Sequence, residues 1–431
     1  FNILPISIKQ DETPNCATRK EDIFDNFKKE KQKLTEGEIL YTYDVIYEES
    51  NLTLSSRWDH YKPTNKDIHL FGVITSNVLI LIFTILVVLI FCWIIRKDAD
   101  VFNSRVINDD ILDEYGWKQV CNDVFRPCRK ITLFATFLGT GVQLSLMLLL
   151  TLVIGVLGFM KPEERGNLLT LGILLFVFMG IPAGYISTRI YKVLQGRQWL
   201  RTSLLTAIFF PGLTFCLYSI LNILLSMENS AAAVNIKELF NLLVLWLCCS
   251  SPLVVIGAFF GIKMKPIKIP CKINALPTTL PQKPWYFQFK FTFWIAGLLS
   301  FSAFFIELVY VMASIWKHQI YFMGTFLVFA IVIMLIICGE ITIVLIYINL
   351  CKGDYNWWWK SFFFGGSSSV FVLGYSIYYF FSLQITRFSG MLIYFGLMGL
   401  ISAIIFFIGG ASATLFCFVF IKSIYSMIKV D

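Results

Sequence analysis

Long apolar runs, separated by short polar connections rich in lysine and arginine, dominate the chain from residue 70 onward. Nine of them reach the ~20 mostly apolar residues that a membrane-spanning helix requires. They cover roughly 70–95, 131–160, 168–188, 203–227, 239–262, 291–316, 321–350, 362–383 and 391–421. Helices are the expected form, because backbone groups left unpaired in hydrocarbon cost several kcal/mol each. The first 69 residues follow another pattern. Ile39, Tyr41, Tyr43, Val45 and Tyr47 alternate with Leu40, Thr42, Asp44, Ile46 and Glu48, the period-2 signature of a strand with one buried face. Residues 1–8 have weaker strand character, and the Lys/Glu-rich stretch 18–38 reads as a surface loop or helix. Two strands make a poor core by themselves, so residues 1–69 are expected to close a larger β-rich domain.

Lysine and arginine assign a direction to the spans. Of 36 such residues, 21 fall in the connections after spans 1, 3, 5 and 7 and in the C-terminal tail, and 5 in the alternate connections. The remaining 10 precede span 1, in a segment long enough to escape the rule. The bias places the odd-to-even connections and the C-terminus in the cytosol, and residues 1–69 in the lumen or outside. The expected organisation is therefore a β-rich lumenal part over 1–69, a first transmembrane helix over 70–95, and a cytosolic loop over 96–130. An eight-helix bundle over 131–421 and a cytosolic tail over 422–431 follow. Asn51-Leu52-Thr53 is the one N-x-S/T sequon, and it falls on the lumenal side, which makes Asn51 a glycosylation candidate.

Composition narrows the function classes. The chain is 57% hydrophobic and only 15% charged, far from the ~25% charged of soluble domains. The net charge of +8 is a topology signal, so no nucleic-acid partner is expected; the bilayer is. The chain begins at Phe1 rather than Met, as a mature product or a fragment would. Most of the 11 cysteines lie in apolar runs, and no spacing reads as a disulfide framework, a metal site or a cofactor site. Cys121 and Cys128 face the reducing cytosol. No H-E-x-x-H, G-x-S-x-G or P-loop signature is present, and no catalytic residue is assigned.

Glu307 and Glu340 are carboxylates inside spans, and both are expected to face the bundle interior. They read either as a polar cavity for cargo helices, an ion or a proton, or as a buried interhelical hydrogen bond. Gly180 and Gly184, and Gly257 and Gly261, form two G-x-x-x-G pairs that suit close helix packing, chiefly within the bundle. Pro182 is expected to kink span 3. Trp357, Trp358 and Trp359 open span 8 and read as an anchor at headgroup level. Phe416, Phe418 and Phe420 are expected to be lipid-facing or packed.

Several islands occur in a fixed order: Thr42-Tyr43-Asp44-Val45, Ser56-Arg57-Trp58-Asp59, Gly116-Trp117-Lys118 and Asp123-Val124-Phe125-Arg126-Pro127. Phe304-Phe305-Ile306-Glu307-Leu308, Glu340-Ile341-Thr342, Asp354-Tyr355-Asn356-Trp357-Trp358-Trp359 and the terminal Lys429-Val430-Asp431 complete the set. The set resembles the transmembrane 9 superfamily, the nonaspanins, over essentially the whole chain. The resemblance implies a large lumenal domain, nine spans, residence in Golgi and endosomes, and a non-enzymatic role in sorting or surface delivery of other multi-span membrane proteins. It also implies that Lys429 and Asp431 present a K-x-D/E tail to the COPI coat. A proton- or ion-coupled transporter or channel using Glu307 and Glu340 is the alternative. It is disfavoured by the lack of a clear inverted repeat and of obvious broken helices.

Overall fold

Hydrocarbon offers no water to pair with the backbone, so each apolar run closes its hydrogen bonds within itself. The computed structural model describes residues 78, 81–97, 100, 116–157, 165–228, 233–274, 276–280, 284–316 and 323–426, and all regular structure among these described residues is helical. In chain order the helices are α1 (81–97), α2 (Ile131–Val156), α3 (Arg165–Phe178), α4 (Gly180–Val193), α5 (Trp199–Met227) and α6 (Ile236–Val244). Then come α7 (Ser251–Lys263), α8 (Phe289–Trp316), α9 (Met323–Cys351), α10 (Trp358–Gly366), α11 (Ser368–Ser382) and α12 (Phe388–Ser426). All belong to one compact unit, Trp58–Asp431. The strand expected over 39–48, the sequon at Asn51, and the tail residues Lys429 and Asp431 lie outside the described residues.

Seven helical segments among the described residues are long and apolar enough to cross a membrane: Ile131–Gly155, Leu169–Val193, Trp199–Met227, Ile236–Lys263, Phe289–Ala313, Ala330–Cys351 and Phe388–Ser426. Among the described residues the two other expected spans do not form single helices of that length. The described part of the first is α1, and the eighth is divided at Ser367 into α10 and α11.

The kink expected at Pro182 is present as a break, and further breaks occur that the sequence did not make obvious. Pro182 has no N–H and its ring crowds the carbonyl four residues earlier, that of Phe178; the chain is interrupted there, between α3 and α4. Pro252 acts similarly. The turn before it widens into a π-helical segment, Leu245–Ser250, and the Ser251 hydroxyl donates to the Trp246 carbonyl at 3.2 Å.

Helix α4 also runs five residues beyond the expected end of span 3 at 188. Arg189 and Lys192 end the apolar run in the sequence, but neither side chain ends the helix. Lys192 Nζ donates to the carbonyls of Ile262 (2.8 Å) and Met264 (2.9 Å), and Arg189 donates to that of Lys265. These are the orphan carbonyls at the end of α7, so cations of one helix cap its neighbour.

The most extensive helix contact is α4 on α7, followed by α8 on α9 and α10 on α12. Helix α12 packs on α2, α5, α9, α10 and α11 and forms the central pillar. Its 39 residues span about 58 Å, nearly twice the ~30 Å hydrocarbon thickness. The excess turns are occupied: Cys417, Phe418, Ile421 and Tyr425 are all buried near its C-terminal end.

Candidate functional site

Three of the basic connections, those before α2, after α7 and after α9, meet at this end of α12. A 3-10 turn, Gly116–Val120, and the segment up to Lys130 lie against it. Tyr425 donates its hydroxyl to the Trp117 carbonyl at 2.7 Å, and the two rings meet edge-on at 5.2 Å. Three consecutive tryptophans clamp the segment from the other side. Trp357 Nε1 donates to the Val124 carbonyl (2.8 Å), Trp358 Nε1 to that of Arg126 (3.2 Å) and Trp359 Nε1 to that of Arg129 (2.8 Å). Trp357 and Trp358 stack at 3.9 Å and are only 1% and 2% exposed. For Trp357 and Trp358 this corrects the reading as a headgroup anchor; Trp359 is half-buried. An indole N–H needs an acceptor once buried, and here the acceptors are the carbonyls of a loop that no local secondary structure pairs.

A buried ion pair adds a third attachment. The Asp123 side chain is 1% exposed; it accepts from Arg126 Nε (3.0 Å) and Nη2 (2.6 Å), and from the Thr278 amide (3.0 Å) and hydroxyl (2.8 Å). Arg126 Nη2 also donates to the Asn274 carbonyl at 2.8 Å. Burial pushes the Asp123 carboxyl up, but the Arg126 and Thr278 hydrogen bonds outweigh it, and the group sits below its ordinary range. It is therefore ionised at neutral pH and ties the first connection to the segment after α7. Lys352 lies over the Phe287 ring, and Asp354 pairs with Lys360. Cys271 and Cys121 are neighbours here. Burial, with Cys121 beside it, pushes the Cys271 thiol up to about 12, and burial does the same to Cys128. Such thiols stay protonated and are poor nucleophiles.

Within the membrane-length helices the two candidate carboxylates are apart. Glu307 on α8 is 1% exposed and one of its oxygens is buried with no hydrogen-bond partner among the described residues. Glu340 on α9 is half-buried, meets the Thr84 hydroxyl of α1, and likewise has one unpartnered oxygen. Cys338 of α9 lies beside Ser300 of α8 and Ser368 of α11, which sets the register of the antiparallel pair. Glu307 is seven residues beyond Ser300, about 10 Å further along α8, so it sits at a different depth from Glu340. The Ser300 and Ser368 hydroxyls are buried without a well-aligned partner. This polar group sits at the break between α10 and α11.

The two G-x-x-x-G pairs face each other across α4 and α7. A Cβ on Gly184 would lie 2.0 Å from the Val254 carbonyl oxygen, and one on Gly257 2.0 Å from that of Ile181. Gly261 meets Thr188 and Tyr185, and Gly180 meets Val254. Thr188 donates across the same seam to the Ala258 carbonyl at 3.2 Å. A second backbone-to-backbone approach was not singled out in the sequence: Gly365 and Gly366 of α10 against Gly409 and Gly410 of α12. The paired glycines were its available signal. Of the three terminal phenylalanines, Phe418 is buried near Trp358, Phe416 is 45% exposed yet covers Gly339, and Phe420 meets Phe91 of α1.

The arrangement holds helices and loops together; among the described residues no three His, Cys, Asp or Glu side chains are grouped to hold a metal ion.

The family model for Endomembrane protein 70 matches residues 1–390. The chain is 39% identical to transmembrane 9 superfamily member 10 of Arabidopsis thaliana over 403 residues, 93% of this chain and 63% of that protein. It is 38% identical to member 2 of Homo sapiens, over 92% of this chain and 60% of that protein. It is 33% identical to human member 4 over 100% of this chain and 68% of that protein. The chain thus spans about three-fifths of the length of the first two. No solved structure matches it. The ordered islands and a match over most of the chain make the conclusion plain: this is an integral membrane protein of the endomembrane protein 70 family, the transmembrane 9 superfamily.

Proposed function

We propose that this chain is the nine-span membrane part of a non-enzymatic Golgi and endosomal protein that sorts, localises or delivers other multi-span membrane proteins. Its N-terminus is lumenal, with Asn51 glycosylated, and its C-terminus is cytosolic. Helix α1 and the α10–α11 pair are the two spans that complete the nine. The carrying observation is the clamped face at the end of α12. Three connections distant in sequence are fixed to the helix that runs on toward Lys429 and Asp431. A coat-binding tail held on such a platform transmits the position of the bundle to the COPI coat, while Glu307 and Glu340 keep unpaired carboxyl oxygens inside the bundle, which a client helix would reach once the helices around them part. Polar groups within a membrane are functional candidates because they are costly to keep there.

A second reading, coupled transport of an ion or proton, is favoured by one observation: the break between α10 and α11 lies beside Ser300, Cys338 and Ser368. One comparison separates the two. In cells, full-length protein carrying Glu307→Gln and Glu340→Gln is expected to reach the Golgi normally yet lower surface delivery of a multi-span client severalfold. Lys429→Ala with Asp431→Ala is expected to release the protein from the Golgi. Normal client delivery by the glutamine variant, together with ion flux in proteoliposomes that the same variant abolishes, would assign the chain to transport instead.

A further inference from the structure

The strongest charge asymmetry in the chain is not used by the platform. Between Glu238 and Glu307 there is no Asp or Glu, while Lys263, Lys265, Lys268, Lys272, Lys283 and Lys290 fall in that stretch. Lys263, Lys265, Lys268 and Lys272 are exposed. The stretch leaves the end of α7 and turns against the last turns of α12, where a cavity of about 330 Å3 opens. Its lining is divided. Lys422, Ser423 and Ser426 form a polar side, and Ile267, Phe418 and Val419 an apolar one. The two hydroxyls donate to carbonyls of their own helix, Ser423 to Val419 (2.9 Å) and Ser426 to Ser423 (2.7 Å). Lys268 follows Ile267 directly, and Lys422 has no carboxylate partner among the described residues.

We propose that this cavity binds the phosphorylated headgroup of an anionic phospholipid, with Lys422 of its lining holding the phosphate, the exposed Lys268 adding positive charge beside it, and Ile267, Phe418 and Val419 seating the upper acyl chain. Charge complementarity names the headgroup, because nearby cations without a counter-charge attract phosphate. The apolar half of the lining names a lipid over free phosphate: Phe418 and Val419 lie on the membrane-length helix α12, and Val419 is 62% exposed, an apolar wall that a free anion would not use. Pockets of lysines between helix ends at the membrane surface suit this chemistry. The inference stands apart from the sorting proposal, since it concerns only where α7 and α12 end.

The test uses purified full-length protein in nanodiscs of phosphatidylcholine, titrated with a fluorescent phosphatidylinositol 4-phosphate and read by anisotropy. Lys422→Gln and Lys268→Gln are each expected to weaken binding about fivefold, and Lys422→Arg to retain it. Lys237→Gln, in an alternate connection, is expected to leave it unchanged. The protein needs only to be folded, which a thermal melt of each variant establishes. Wild-type affinity in the folded Lys422→Gln/Lys268→Gln double variant overturns the proposal. So does competition by inositol phosphate or inorganic phosphate as strong as that of unlabelled lipid, which assigns the cavity to a soluble anion. Competition by an acidic peptide in place of lipid overturns it as well.

Discussion

Replacing Gly184 by alanine is expected to destabilise the bundle by ~1–3 kcal/mol, the cost of overpacking a filled seam. The atom that the new methyl would meet is the Val254 carbonyl oxygen at 2.0 Å, with the Ala258 amide nitrogen at 2.9 Å. Both are backbone, so no side chain can rotate away and α4 must lift from α7. These helices share the most extensive contact among the described helices, and the Thr188 to Ala258 hydrogen bond would be stretched with it. Gly374 provides the contrast. It is also helical, on α11, but a Cβ there meets nothing within 4 Å. Gly374→Ala is expected to be neutral or mildly stabilising, by up to ~1 kcal/mol, from helix propensity alone. Thermal unfolding of the two variants in detergent checks the pair; equal melting temperatures would remove the packing role assigned to the α4–α7 seam.

Removing Trp357 is expected to have the largest effect of any single change on the basic face. Trp357→Ala empties a site whose side chain is 1% exposed and should cost ~3–5 kcal/mol. Trp357→Phe keeps most of the ring and removes only the donor to the Val124 carbonyl. Leaving that acceptor unmet should cost ~1–3 kcal/mol. Both variants should also expose the segment that the clamp holds, so trypsin should cut after Arg129 or Lys130 faster than in the parent. An unchanged cleavage rate in Trp357→Ala would show that the ring does not hold the loop.

Much of the bundle was legible because a lipid solvent imposes a coarse rule. Apolar runs of sufficient length become helices, and their lysines and arginines mark a side. The rule misplaced the end of span 3, since it counted Arg189 and Lys192 as leaving the membrane, whereas both are engaged by carbonyls at the end of α7. The interruption at Ser367 carries no proline; its signal in the run was Gly365-Gly366-Ser367-Ser368-Ser369, while the polar side chains that gather around it from α8 and α9 could not be read from that run. The tryptophan clamp was hidden for a related reason. A run of three indoles beside an apolar segment fits headgroup level on chemistry alone, and the acceptors that decide otherwise lie 233 residues away. The glycine seams were half legible: spacing identified Gly180, Gly184, Gly257 and Gly261 as packing residues, but not as each other's partners.

The account depends most on the basic connections sharing one side of the membrane. Acceptor sequons inserted at two points of the full-length protein test this directly: after Leu276, in the segment after α7, and after Glu228, in the connection between α5 and α6. The account predicts glycan addition after Glu228 only, and no addition after Leu276. Glycosylation after Leu276, with none after Glu228, would invert the threading and contradict the assignment of the clamped face to the cytosol.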